Sequence, residues 1–324
     1  MKIIAVGGSN TVFKNGYLGD LQALLPEAVF VNRSVGAANC SMGLFRLLSY
    51  PDLSEGDIVV WEYALNDTFS LPTRGVEWHL SVIEQTLIHA RDRGCLFLPV
   101  ILTTRDIENN QEITPYRAAL HYLFRAYGVT PIDAAQEAHI AFNVAVLPKS
   151  DFRDLSHYLP GGRVCKLIAQ KMAEQIAKGL APAGTLPAPL FARKGYLPRV
   201  RTDLSGGTVS EFTNSLLSVC YRDTRGNQTV TFDPRTRYGR VIAAITLVSP
   251  GGGKCDVITP TGVAGALLEP KEPVAMTLLK SILGHRGFNK IGTGEGKVIQ
   301  FAPRESTSDE RPRGVVAVLT EEPA

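Results

Sequence analysis

The sequence predicts an α/β protein in two parts: a three-layer domain with a five-stranded parallel sheet between helices, then a β-rich domain read as an antiparallel sandwich. Three observations carry this. Through residue 180, short apolar runs alternate with segments of helical spacing, the pattern of a parallel sheet covered on both faces. At Ala181 the texture changes to a stretch with Pro182, Pro187 and Pro189. Beyond it, short β-rich runs are punctuated by Gly, Pro, Asp and Asn. The length of 324 residues, about twice that of one ordinary domain, agrees with a division.

In the first part the expected strands are residues 2–6, 28–32, 57–63, 95–102 and 129–133. The expected helices are 16–25, 37–48, 78–93, 116–127 and 162–180. Met42, Phe45 and Leu48 share one side of the second helix; Leu80, Ile83, Leu87 and Ala90 form a stripe on the third. Val164, Leu167, Ile168, Met172 and Ile176 give the fifth an apolar face. The domain is expected to span residues 1–180, with 181–203 as a linker or strap and 204–324 as the β-rich domain. Its runs are 209–221, 228–232, 240–248, 256–259, 274–283, 297–301 and 314–319. The run 274–283 is also long enough for a helix. Strand order is not legible.

Composition excludes several classes. The apolar runs are too short to cross a bilayer, which needs about 20 residues, so no membrane span is expected. The formal charge of +3 divides unevenly: residues 1–180 hold 16 Lys and Arg against 18 Asp and Glu (−2), residues 181–324 hold 18 against 13 (+5). Neither half has the dense basic stripe of a nucleic-acid binder. Cys40, Cys95, Cys165, Cys220 and Cys255 are odd in number, widely spaced and free of any CxxC pair, which argues against a disulfide framework or a zinc site. The amino terminus enters a strand-like run with no signal-peptide pattern, so a cytoplasmic location is the expectation. No cofactor is expected.

In an open parallel sheet, ligands bind beyond the carboxyl ends of the strands. There the sequence places Gly7, Gly8, Ser9 and Asn10 after the first strand and residues 32–39 after the second. Residues 62–67 follow the third. A polar cluster with Asp151, Arg153, Asp154, Ser156 and His157 precedes the last helix. Singly these are ordinary: a glycine turn with a helix cap, an Asn66-Asp67 bend, a surface histidine. Together they contain a nucleophile, a base, an orienting carboxylate and hydrogen-bond donors.

These segments, in this order, resemble the conserved blocks of the SGNH (GDSL-like) hydrolase superfamily over about residues 1–180. Ser9 matches the nucleophile of the first block, Gly36 the glycine of the second and Asn66 the asparagine of the third. Asp154 and His157 match the D-x-x-H block. The resemblance implies a flavodoxin-like fold, a Ser9–His157–Asp154 triad and an oxyanion hole from the Ser9 and Gly36 amides and the Asn66 side chain. It implies an acyl ester as substrate. The sequence departs from the family pattern at Gly8, where Asp is usual, and at Ala64, where Gly is usual.

The expected function is therefore a metal-independent serine esterase acting on a small acyl ester, such as an acetyl, carried by a small molecule or a carbohydrate. Two alternatives share the residues: a polysaccharide O-acyltransferase with the same triad, and a catalytically inactive glycan-binding or assembly protein. Asn10, Arg105 and Asp106 are candidate substrate contacts on the same edge. Asp133 competes weakly with Asp154 for the orienting role. His79, His89 and His121 fall in helical patterns and read as packed or solvated, and His139 as outside the site. Arg193, Tyr196, Arg199 and Arg201 read as a solvated surface near the linker. The β-rich domain is a candidate surface for homo-oligomer formation.

Overall fold

The apolar run of β1 (Lys2–Gly7) lies at the centre of a sheet because both its faces are covered: Ile3, Ile4, Ala5 and Val6 are all buried. In the computed structural model, which describes residues 1–110, 113–214, 217–233, 240–250, 252–259, 262–267, 278–282, 299–305 and 311–324, the chain divides into two units, Met1–Arg193 and Lys194–Ala324.

The first unit continues with α1 (Ser9–Val12), α2 (Tyr17–Leu24), β2 (Val29–Asn32), α3 (Cys40–Leu48), β3 (Ile58–Glu62), α4 (Ala64–Thr68), α5 (Leu71–Arg74) and α6 (Val76–Asp92). Then follow β4 (Leu96–Ile101), α7 (Arg105–Asn109), α8 (Pro115–Ala126), β5 (Ile132–Asp133), α9 (Ala134–Phe142) and α10 (Arg163–Lys178). The strands are parallel in the order β2-β1-β3-β4-β5, the flavodoxin-like arrangement. Alternation along the strands divides the core. Ile3, Ala5, Ile58, Val60, Leu98 and Val100 pack with α2, α9 and α10 in one cluster. On the other face Trp61 and Phe97 meet Phe124 of α8 at centroid distances of 5.8 and 6.2 Å.

All five expected strands form. The fifth shrinks to two residues, because Pro131 has no N–H to give a ladder. The second helix begins at Cys40 rather than 37: Ala37 has a positive φ of 54°, and Asn39 caps the helix by accepting from Ser41 N–H. The helices α1, α4, α5 and α7 and the longer α9 were not expected. The first four are too short to show an apolar stripe, and local caps start α7 and α9: Thr104 accepts from Ile107 N–H and Asp133 from Gln136 N–H.

The second unit comprises β6 (Tyr196–Arg201), β7 (Leu204–Ser205), β8 (Thr208–Thr213), β9 (Ser218–Asp223), β10 (Val230–Phe232), β11 (Arg240–Val248), β12 (Lys254–Thr259), β13 (Gly262–Leu267), β14 (Leu278–Ile282), β15 (Ile299–Glu305) and β16 (Gly314–Pro323). One sheet runs β13-β12-β15-β10-β7; the other runs β14-β11-β16-β9-β8, with β6 also on β16. A shared core joins them, with Phe232, Val257, Ile299 and Phe301 from the first and Val241, Ala244, Val315 and Val318 from the second. This is the expected β-sandwich architecture.

Residues 181–203 are not one linker, because β6 pairs with the last strand. Pro198 hid it, yet a proline is tolerated on an edge strand. The run 209–221 divides into the hairpin β8–β9 around residues 215–216, which lie outside the described residues. Of 274–283, residues 278–282 form β14, and 274–277 and 283 lie outside the described residues, as do 297–298 of the run 297–301. Four cysteines are buried, Cys220 is exposed, and all five are unpaired. No helix of the described residues is long and apolar enough to cross a membrane.

Candidate active site

The order β2-β1-β3 makes the crevice between the carboxyl ends of β1 and β3 the switch point of the sheet, since the chain leaves β1 to one side and returns on the other. Ser9 follows β1 there, at the first position of α1. Its Oγ lies 2.7 Å from His157 Nε2, and His157 Nδ1 lies 2.8 Å from both carboxylate oxygens of Asp154. A carboxylate can only accept, so Nδ1 carries a proton, and in the neutral imidazole Nε2 is the acceptor that faces the serine hydroxyl. Burial pushes the Asp154 carboxyl up, but the Ser156 amide and the hydrogen bond and charge of His157 outweigh it and hold the group below its ordinary value.

The D-x-x-H loop is itself a small closed structure. Phe152 and Tyr158 form an antiparallel bridge with rings stacked at 4.8 Å, and Arg153 N–H donates to the His157 carbonyl. Asn10 fastens it to the nucleophile helix: its amide donates to Ser156 O at 3.1 Å, and its Oδ1 accepts from Tyr158 N–H at 3.1 Å. From the β4 side, Arg105 N–H donates to Leu155 O at 2.9 Å and Thr103 Oγ1 meets Tyr158 OH at 3.2 Å.

Two further segments close on the Ser9 turn. A Cβ on Gly36 would lie 3.6 Å from Ser9 Cβ, so the Gly36 backbone rests against Ser9. Asn66, in α4, crowds the turn from the β3 side: a Cβ on Gly8 would lie 2.1 Å from Asn66 Oδ1. Among the described residues, the Ser9 and Gly36 amides and the Asn66 side-chain NH2 make no hydrogen bond with the protein.

No protein-family model matches the chain, and no curated protein matches it. Solved structures do. A two-domain esterase, CEX, active on acetylated mannans superposes with a TM-score of 0.69 at 14% identity, over 100% of this chain and 92% of that one. Its co-crystal with mannopentaose gives the same TM-score and identity over 91% of that chain. A lipolytic protein of the G-D-S-L family from Veillonella parvula covers 55% of this chain and 99% of its own, at 16% identity and a TM-score of 0.46. The chain thus shares the two-domain fold of that esterase.

Within that fold the two departures have local reasons. At Gly8, where the sequence departs from the pattern it resembles, a Cβ would run into the Asn66 amide, so a side chain there would require Asn66 to move. Ala64, buried at the start of α4, replaces one small residue by another. Asn10 and Arg105, expected as substrate contacts, both join the His157 loop. Asn10 is 4% exposed with both ends of its amide engaged, and Arg105 touches the site through its backbone. Asp106 is exposed on α7. Asp133 does not meet His157, because its carboxylate is held by Arg117 and His121. His139 is bonded to Glu108, and His79 is buried between Ser70 and the Gly75 carbonyl.

Sequence reasoning missed Phe13, Asp67 and Glu62. The Phe13 ring packs 5.1 Å from the His157 ring, and the Arg153 guanidinium lies 5.2 Å from the Phe13 ring centroid. Asp67, fully buried, accepts from Cys40 N–H at 2.8 Å and Tyr116 OH at 2.6 Å, tying the start of α3 to α4 and α8. Burial raises its carboxyl above the ordinary range against those hydrogen bonds. Its place directly after Asn66 was the available signal. Glu62 contacts the turn carrying Ser9 from beneath.

Proposed function

We propose that the protein is a serine carboxylic-ester hydrolase with Ser9 as nucleophile, His157 as general base and acid, and Asp154 as its orienting partner. The observation that carries this is the unbroken Ser9–His157–Asp154 relay at 2.7 and 2.8 Å on the switch point of the sheet. Ser9 Oγ attacks the acyl carbonyl while His157 Nε2 takes its proton. The tetrahedral oxygen receives hydrogen bonds from the Ser9 and Gly36 amides and the Asn66 NH2, which are free to donate. Collapse of the intermediate breaks the ester bond, and His157 returns the proton to the leaving alcohol. Water, deprotonated by the same imidazole, then releases the acid from Ser9 and restores the enzyme.

For the substrate we propose an acetyl ester on a carbohydrate. Two features support this: the likeness in fold to a two-domain mannan esterase over the whole chain, and a second unit of matching architecture. The test is hydrolysis of an aryl acetate and of acetylated saccharides by the native protein and Ser9→Ala, with a phosphonate reagent to trap the nucleophile. The expected result is acetate release and a phosphonyl adduct on Ser9, both lost in Ser9→Ala. Full activity in that variant, or no turnover and no adduct in the native protein, would overturn the proposal.

A further inference from the structure

Beneath the nucleophile turn lies a titratable group that acyl transfer does not use. Glu62, the last residue of β3, is fully buried, and its two oxygens are unequally served. Oε2 accepts from Gly8 N–H at 3.1 Å and from the Thr11 hydroxyl at 2.9 Å; Thr11 Oγ1 in turn lies 2.7 Å from Tyr17 OH. Oε1 is buried with no hydrogen-bond partner among the described residues. The Glu62 carbonyl also faces Gly8 N–H, at 2.9 Å. One residue of β3 thus holds the turn on both sides of Ser9.

A carboxylate ion fits such a place poorly, since an unserved oxygen in a dry interior loses its hydration with nothing in return. A neutral acid fits better. Burial pushes the Glu62 carboxyl up to about 8, against the Thr11 and Gly8 hydrogen bonds that favour the ion. The titratable groups facing it are Asp67 from α4, whose charge raises it further, Tyr17 from α2 and Tyr63 on the adjacent position of its own chain.

Building on the assignment of Ser9 as nucleophile, we propose that Glu62 is a positioning residue: as a neutral acid it fixes the Gly8–Ser9 turn, and on ionising it sets a negative charge beside the oxyanion and slows acyl transfer. Glutamine separates the two effects. Its amide oxygen can take the place of Oε2 toward Gly8 and Thr11, but it cannot ionise. Alanine removes the support altogether.

The test uses the full chain: kcat and KM for an aryl acetate between about pH 6 and 10 for the native protein, Glu62→Gln and Glu62→Ala, with a ¹³C-carboxyl NMR titration of Glu62 assigned by its loss in Glu62→Gln. The native rate is expected to fall along an alkaline limb near the point where Glu62 titrates, about pH 8. Glu62→Gln should stay within about fivefold of native at pH 7 and lack that limb, whereas Glu62→Ala should lose about 10- to 100-fold in kcat at every pH with little change in KM. The proposal is overturned by an unchanged alkaline limb in Glu62→Gln, by native kcat in Glu62→Ala, or by a carboxyl that titrates in the ordinary acidic range. If the native protein neither hydrolyses esters nor takes a phosphonate on Ser9, the hydrolase reading fails by itself, and the NMR titration still decides whether Glu62 is neutral.

Discussion

Asn66 shows how closely the residues of the site are fitted to one another. Its side chain fills the space beside Gly8, where a Cβ would lie 2.1 Å from its Oδ1, so the Ser9 turn and the Asn66 amide are fitted to each other. Replacing Asn66 by Ala should lower kcat for an aryl acetate about 100- to 1000-fold while leaving KM within a few-fold, because the donor acts on charge that develops only in the transition state. As candidates for acyl transfer, Ser9, His157, Asp154, Gly36 and Asn66 were legible, because that chemistry demands particular residue types after particular strands. Glu62 was not, since a glutamate ending an apolar strand looks like any strand end until the fold turns it inward beneath Gly8. Its burial also bears on stability. The unfolded carboxyl releases its proton near 4.5 and the folded one near 8, so folding takes up a proton in between. Stability is highest below that window and falls as pH rises through it, by at most about 1.4 kcal/mol per pH unit for one group. Urea titrations at pH 5 and pH 8 should show the decline in the native protein and a smaller one in Glu62→Gln.

At the scale of elements, the His157 loop depends on its fastenings more than on its own backbone. Asn10 is buried and spends both ends of its amide on the loop, so Asn10→Leu removes two hydrogen bonds and leaves the Ser156 carbonyl and Tyr158 amide without them. That should cost about 2–4 kcal/mol in denaturant unfolding and lower kcat at least tenfold, because His157 loses its register with Ser9. The strap before the second unit has a similar fastening. Glu84 of α6, fully buried, accepts from Leu190, Phe191 and Ala192 N–H at 2.6, 2.7 and 2.5 Å and from Tyr127 OH at 2.7 Å. Glu84→Ala should free this segment, and limited proteolysis should then cut between residues 181 and 193 much faster than in the native protein. Neither fastening could be read in the sequence, because both join residues more than 100 positions apart. The long amphipathic helices α6, α8 and α10 were legible from periodicity, which needs several turns to emerge. β6 was obscured by its own proline and is defined by a partner at the far end of the chain.

At the scale of the whole molecule, the candidate site lies in one part of the sequence. The relay, its loop fastenings, the three free donors and Glu62 all lie in Met1–Arg193, with a core cluster of its own. The positive charge belongs to the second unit: residues 194–324 hold 17 Lys and Arg against 13 Asp and Glu (+4), and their fold is a sandwich without any part of the relay. If the first unit does the chemistry and the second holds a polymeric glycan, their contributions separate by substrate size. A small aryl acetate needs only the crevice, so a chain ending at Arg193 should keep kcat/KM on it within about threefold. An acetylated polysaccharide gains effective concentration from a second attachment, which linked binding raises by about 100-fold or more when the geometry allows both. Removing residues 194–324 should then lower kcat/KM on that polymer at least tenfold, mostly through KM. Equal loss on both substrates would mean that the sandwich supports the folding of the first unit, and no loss on either would remove it from substrate capture.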